Sequence, residues 1–170
     1  VGVEPGVRPA IALSRRKRIA VMATEATLRS ERFRVLVQRE AAGGFAHLQP
    51  CPGLAAAIER DDADSPGLQA LVTRYAEAVR AADVDVVALG CTHYPFVRDD
   101  IARVLGDEVM LLDTADAVAS QAARLWREPA TEVDATWCRL ETTGDPRQLR
   151  RFAGRWLDMA AAVAPSALEL

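Results

Sequence analysis

Apolar positions along this chain fall into short unbroken runs separated by longer stretches of helical spacing. Ile19-Ala20-Val21-Met22-Ala23 is one run. Val84, with Val86-Val87-Ala88-Leu89, is a second, and Val109-Met110-Leu111-Leu112 is a third. Each lacks the alternation of a half-exposed strand and suits a strand covered on both faces. Phe45 to Leu48, just after Gly43-Gly44, reads as a further strand. Between the runs, the spacing predicts one helix from about Leu28 to Glu40, capped by Thr27 or Ser30, and a short helix from Leu54 to Arg60. Asp64-Ser65-Pro66-Gly67 opens another, whose face is marked by Leu68, Leu71, Val72, Tyr75, Ala76, Val79 and Ala82. Phe96, Val97, Ile101, Val104 and Leu105 mark the next, and Asp113 or Thr114 caps one more that runs to about Arg127. Beyond Glu128-Pro129, Thr136 to Thr142 predicts a strand with Cys138 in the core. Thr142-Thr143-Gly144-Asp145-Pro146 then opens a helix carrying Leu149, Phe152, Trp156 and Leu157. From Ala160 a frayed tail is expected. Strands alternating with helices predict an α/β fold, a parallel sheet flanked by helices.

Composition narrows the partners. Hydrophobic residues make up 50% of the 170, enough for a sizeable core, and only 5% are aromatic, so Ala, Val and Leu must do most of the filling. A net charge of −3 with mixed signs argues against nucleic acid as the main partner. Arg15-Arg16-Lys17-Arg18 then reads as a solvated loop before a strand, with a phosphate or nucleic-acid site as the alternative. No apolar run approaches the ~20 residues of a membrane span, and no signal peptide is visible. The cysteines Cys51, Cys91 and Cys138 are widely spaced with no metal-type pairing, so no metal site is expected and a reduced, cytoplasmic setting is the simplest. Val1-Gly2-Val3-Glu4-Pro5 reads as the middle of a longer protein.

The densest chemistry lies in Asp85-Val86-Val87-Ala88-Leu89-Gly90-Cys91-Thr92-His93-Tyr94-Pro95. Gly90 permits a turn or a close approach, and Pro95 suits the first turn of a helix. Cys91, Thr92 and His93 therefore sit where a strand ends and a helix begins, the place where open α/β sheets bind ligands. Unpaired N–H groups and the helix dipole favour an anion there, and so a thiolate at Cys91. Thr92 can donate or accept a hydrogen bond, and His93 can exchange protons near neutral pH. Such a thiolate acts either as a nucleophile or as a base; the bland alternative is a structural Cys beside a satisfied core His. Thr24 and Thr27 offer hydroxyls at a second strand-to-helix junction, where plain capping is the competing role. His47 is a lone strand histidine, Cys51 a buried turn residue between prolines, and Glu59 by itself a surface carboxylate.

Leu89-Gly90-Cys91-Thr92-His93-Tyr94-Pro95 resembles the second catalytic-cysteine motif of the glutamate racemases, in the aspartate/glutamate racemase superfamily. Further segments follow in the family's order. Val1 to Pro5 is similar to its "GVxEP" crossover. Thr24 to Thr27 is similar to its "ATxGTxxS" loop, with Ala26 where Gly is usual. Cys51 to Glu59 is similar to "CPxFVPLVE", Asp113-Thr114 to an Asp-Ser pair, and Thr142 onward to "TTGDxxxF". The first lobe of the family, with its Cys-Asn-Thr motif, has no counterpart here.

The resemblance implies one lobe of a two-lobed fold over 1–127, a strand and helix belonging to the other lobe over 128–158, and a tail over 159–170. It implies cofactor-independent interconversion of L- and D-glutamate by two thiols on opposite faces of Cα, supplying D-glutamate for bacterial peptidoglycan. Cys91 would serve the face from which L-glutamate loses its proton, assisted by His93 and Glu59, with a Glu59–His93 contact holding the imidazole. Thr24, Thr27, Thr92 and His93 would bind glutamate, and a homodimer is an open assembly. With one thiol of two, the 170-residue chain alone is expected to be nearly inactive. The alternatives are another racemase of the superfamily, acting on aspartate or a hydantoin, and a non-enzymatic domain binding a small acid or a protein. A nucleotide-binding domain is the weakest, since no G-x-G-x-x-G or G-x-x-x-x-G-K pattern occurs.

Overall fold

The computed structural model describes residues 3–60, 63–126, 140–157 and 166–167. The chain divides into two compact units, residues 1–126 and 127–170. In the first, α1 (Val7–Leu13) precedes β1 (Arg18–Ala23), followed by α2 (Glu25–Arg29), α3 (Glu31–Glu40) and β2 (Phe45–Pro50). Then come α4 (Leu54–Arg60), α5 (Pro66–Ala81), β3 (Val86–Leu89), a 3-10 turn at Tyr94–Val97, α6 (Arg98–Leu105), β4 (Met110–Leu112) and α7 (Ala115–Leu125).

The four strands form one parallel sheet in the order β2-β1-β3-β4. The runs of the two inner strands, β1 and β3, are buried on both faces, which is why they lack alternation. The third run, expected to be covered likewise, forms the edge strand β4 and leaves Met110 50% exposed. Ile19, Val21, Ala23, Val86 and Ala88 pack with Val7, Ala10, Phe33 and Leu36 of α1 and α3. The alternate set Ala20, Met22, Val87 and Leu89 is buried as well. On the helices, Leu68, Val72, Ala76 and Val79 of α5 and Ile101 and Leu105 of α6 are buried, as their spacing predicts. Ser65 caps α5 by accepting from Leu68 N–H at 3.2 Å. The expected parallel α/β architecture is the one observed.

Two expectations need correction. The single helix over 28–40 is two. Ser30 takes an extended conformation (φ −66°, ψ 139°) and caps α3, accepting from Phe33 N–H at 3.3 Å while its hydroxyl donates to Thr27 O at 2.8 Å. A serine able to bond its own neighbours competes with helix continuation. Thr24, not Thr27, caps α2, and the Thr24 and Thr27 hydroxyls lie 2.9 Å apart. The second correction is in the second unit, where Ser166–Ala167 (β6) of the expected tail pairs in parallel with Glu141–Thr142 (β5). There, α8 (Pro146–Trp156) starts on Asp145, whose Oδ1 accepts from Arg147 N–H at 2.8 Å. The expectations for Cys138 and for most of the Thr136–Thr142 strand lie outside the described residues.

The basic run is structural. Arg16 pairs with Asp83 at 2.7 Å on the surface, and Arg18 lies over the Phe45 ring and donates to the Ala82 and Asp83 carbonyls. Beneath it, Asp85 accepts from the Ser14 hydroxyl at 2.5 Å and from Arg16 N–H at 3.0 Å, tying the loop after α1 to the start of β3. Burial pushes the Asp85 carboxyl up, but the Ser14 hydroxyl and the N–H groups of Arg16 and Arg15 outweigh it, and the net shift is downward. A carboxyl held below its unfolded value contributes stability above about pH 4, lost as pH falls through the folded value. Asp85→Asn is therefore expected to lower unfolding stability at pH 7 by about 1–3 kcal/mol. Urea titrations should show the gap between the two proteins narrowing as pH drops below about 4; a gap that stays constant to pH 3 would show that the charge is not what matters.

Candidate active site

Three adjacent strands, β1, β3 and β4, end side by side, and the residues just beyond them build the site. Gly90 makes its turn possible by close approach: a Cβ there would lie 3.0 Å from Met22 O and 3.1 Å from Val21 Cγ1. Gly90 N–H donates to Met22 O at 2.8 Å, continuing the ladder one residue past β3 and releasing Cys91 at the rim of the sheet. Tyr94 N–H then closes the turn on Cys91 O at 3.2 Å, and the 3-10 turn begins. Tyr94 itself is fully buried and anchors the turn from below.

Cys91 is half-buried, and its Sγ lies 3.7 Å from His93 Nδ1. On the other side of the ring, His93 Nε2 meets Glu59 Oε1 of α4 at 2.7 Å. An ionised carboxylate only accepts hydrogen bonds, so the ring proton belongs on Nε2. That leaves the Nδ1 lone pair of the neutral imidazole directed at the thiol. Sulfur, imidazole and carboxylate form a line along which Nδ1 can take a proton from Sγ, with Glu59 placed to hold the imidazolium.

Cys91 opens on a cavity of about 370 Å³, whose wall includes Thr27, Thr92, Thr114 and Val118. Of the residues singled out from the sequence, Cys91, Thr92 and Thr27 line this space. Thr24 stands behind Thr27 as its hydroxyl partner, and His93 and Glu59 back the thiol without lining the cavity. The Asp113-Thr114 corner, read from sequence as a helix cap and as the counterpart of the family's Asp-Ser pair, proves to be part of the wall. Its signal was the rule already applied to Cys91, that strand ends in a parallel sheet carry the ligand.

The remaining candidates separate from the site. His47 contacts Gln49 on the edge strand β2. Cys51 is 2% exposed, donates weakly to Gln49 O and has its thiol pushed up to about 12, first by burial. A buried thiol of that kind is inert toward substrate. Among the described residues, no group of His, Cys, Asp and Glu could hold a metal ion, and no helix is long and apolar enough to cross a membrane.

Residues 3–122 match the family described as Asp/Glu/Hydantoin racemase. The chain belongs to this family. Curated relatives include the glutamate racemase of Pseudomonas putida KT2440, 41% identical over 154 residues. That of Herpetosiphon aurantiacus is 46% identical over 158 residues. These alignments cover 89% of this chain but 58% and 61% of those proteins, so the chain spans about three-fifths of the length of the racemases it matches. Among solved structures, a glutamate racemase isoform from Bacillus anthracis superposes with a TM-score of 0.78 at 26% identity, over 98% of this chain and 62% of that one. Escherichia coli glutamate racemase, crystallised with L-glutamate and an activator, gives a TM-score of 0.80 at 22% identity, a likeness of fold. The family and the fold agree with what the Leu89–Pro95 motif implies.

Proposed function

We propose that this chain supplies one of the two proton-transferring thiols of a glutamate racemase. The observation that carries the proposal is the Cys91–His93–Glu59 line opening on the cavity. The α-hydrogen of an amino acid is weakly acidic, so its removal needs a base placed against it and donors to stabilise the charge left behind. As a thiolate, Cys91 takes the proton from Cα, and the electron pair stays on the substrate. Thr27 and Thr92 donate to the substrate carboxylates and hold the carbon in line. A second thiol delivers a proton to the opposite face, which inverts the centre. His93 then accepts the proton from Sγ and passes it to solvent, Glu59 balancing the transient imidazolium. The second thiolate regains a proton from solvent, so both groups return to their starting states.

Cys51 does not serve as the second thiol, because it is sealed in the core. We place that thiol in the part of the relatives' length that this chain does not span, with 128–158 packing on that further lobe. Glutamate, rather than aspartate or a hydantoin, is supported by the 41–46% identical relatives, which are glutamate racemases.

The test offers a protein carrying this chain and the second thiol three substrates: L-glutamate, L-aspartate and a 5-substituted hydantoin. Inversion is followed by circular dichroism. One methylene separates the two acids, so glutamate is expected to lead aspartate in kcat/KM by about 10–200-fold. Preferential turnover of aspartate or of the hydantoin would reassign the substrate while leaving the thiol chemistry in place.

A further inference from the structure

Three strand-end junctions meet at the cavity, and each contributes a threonine to its wall: Thr27 after β1, Thr92 after β3 and Thr114 after β4. The first two have roles in the proposed reaction, and the third has none. Thr114 stands at the position that caps α7, where a threonine hydroxyl ordinarily accepts from the first turn. Here it makes no such bond. Asp113 caps the helix instead, its Oδ1 accepting from Ala115 N–H at 3.1 Å.

Asp113 is itself fixed from the other end. Arg98, at the start of α6, donates from Nη1 to Asp113 Oδ2 at 3.0 Å and from Nη2 to Leu111 O at 2.9 Å. The carboxylate charge is matched, and both of its oxygens are used. The methyl of Thr114 is directed at Gly6, where a Cβ would come within 3.3 Å of Thr114 Cγ2 and 3.2 Å of Leu112 Cδ2. The close-packed Gly6 side thus receives the methyl, and the threonine is left with a hydroxyl that makes no hydrogen bond among the described residues. Thr114 lies on a wall shared with Cys91.

Resting on the glutamate reading, we propose that Thr114 is a third substrate-binding threonine, donating its hydroxyl to a carboxylate of the bound amino acid. Arg98 and Asp113 are the positioning pair that releases the hydroxyl for this use by keeping the cap on Asp113.

The test uses the 170-residue chain and the alkylation of Cys91 by iodoacetamide, read by peptide mass spectrometry at rising L- or D-glutamate. Bound glutamate is expected to shield the thiol. Thr114→Val should raise the half-protecting concentration about 5–10-fold, the loss of one net hydrogen bond. Thr114→Ser should restore protection to within about 2-fold. The ligand-free alkylation rate and the urea midpoint should match the parent in both variants. Equal protection of Thr114→Val and parent would overturn the assignment. So would a Thr114→Val chain whose ligand-free rate or urea midpoint has moved, since the threonine would then be structural. Failure of either enantiomer to protect the parent chain would instead remove the glutamate reading, and this inference with it.

Discussion

In a protein carrying both thiols, Cys91→Ser is expected to lower the racemisation of glutamate by about 10²–10⁴-fold, the range for loss of a positioned proton-transfer group. The substitution is nearly isosteric, and the turn that holds residue 91 is set by Gly90 and Tyr94 rather than by the sulfur. What changes is proton affinity: a serine hydroxyl ionises far less readily than a thiol, and His93 Nδ1 cannot supply the difference. Circular dichroism of L-glutamate over time measures the rate, and a urea titration of the same variant should show a midpoint close to the parent. The effect should fall on kcat, because the lost interaction belongs to the transition state. Near-normal turnover would remove Cys91 from the reaction.

The second large effect is on stability. Tyr94 is 0% exposed and is the largest of the fully buried side chains. Tyr94→Ala would empty that volume beneath the Cys91 turn and is expected to cost about 3–5 kcal/mol, as buried aromatic truncations do. Tyr94→Phe should behave differently. The hydroxyl's neighbour is the Cys51 thiol, at most a weak hydrogen-bond partner, and no hydrogen bond of good geometry is made among the described residues. Burial, the leading cause, pushes the phenol up, so it stays neutral throughout the useful pH range. Removing an unsatisfied hydroxyl gives back its desolvation cost, so Tyr94→Phe is expected within about 1 kcal/mol of the parent, or more stable. Urea unfolding of the two variants separates the outcomes; a loss as large in Phe as in Ala would show that the hydroxyl has a partner essential to the fold.

Much of this architecture was legible because burial on both faces leaves a plain mark. The runs at Ile19–Ala23 and Val86–Leu89 carry no polar interruption and became the buried strands β1 and β3. Met110–Leu112 reads the same and became β4, but at the sheet edge, where Met110 is exposed. The position of Cys91 followed from the run ending at Gly90 and from Pro95 opening the next turn. Other features depend on neighbours that spacing does not reveal. Ser30 could sit in a helix or cap one, and only its competing bonds to Thr27 and Phe33 decide for the break. The Glu59–His93 contact joins residues 34 apart in sequence and came from the family resemblance, not from pattern. Asp113 and Thr114 were interchangeable as caps by residue type alone. Arg98 on one side and Gly6 on the other settle which of them caps and which lines the cavity.

The most direct measurement of the central claim is loss of the α-proton of L-glutamate in D₂O, followed by proton NMR. The parent protein and its Cys91→Ser variant are compared in the form that carries both thiols. If the thiol of Cys91 takes that proton, the parent washes it out into solvent and the serine variant leaves it in place. Exchange at the parental rate in the serine variant would contradict the account, because some other group would then be removing the proton.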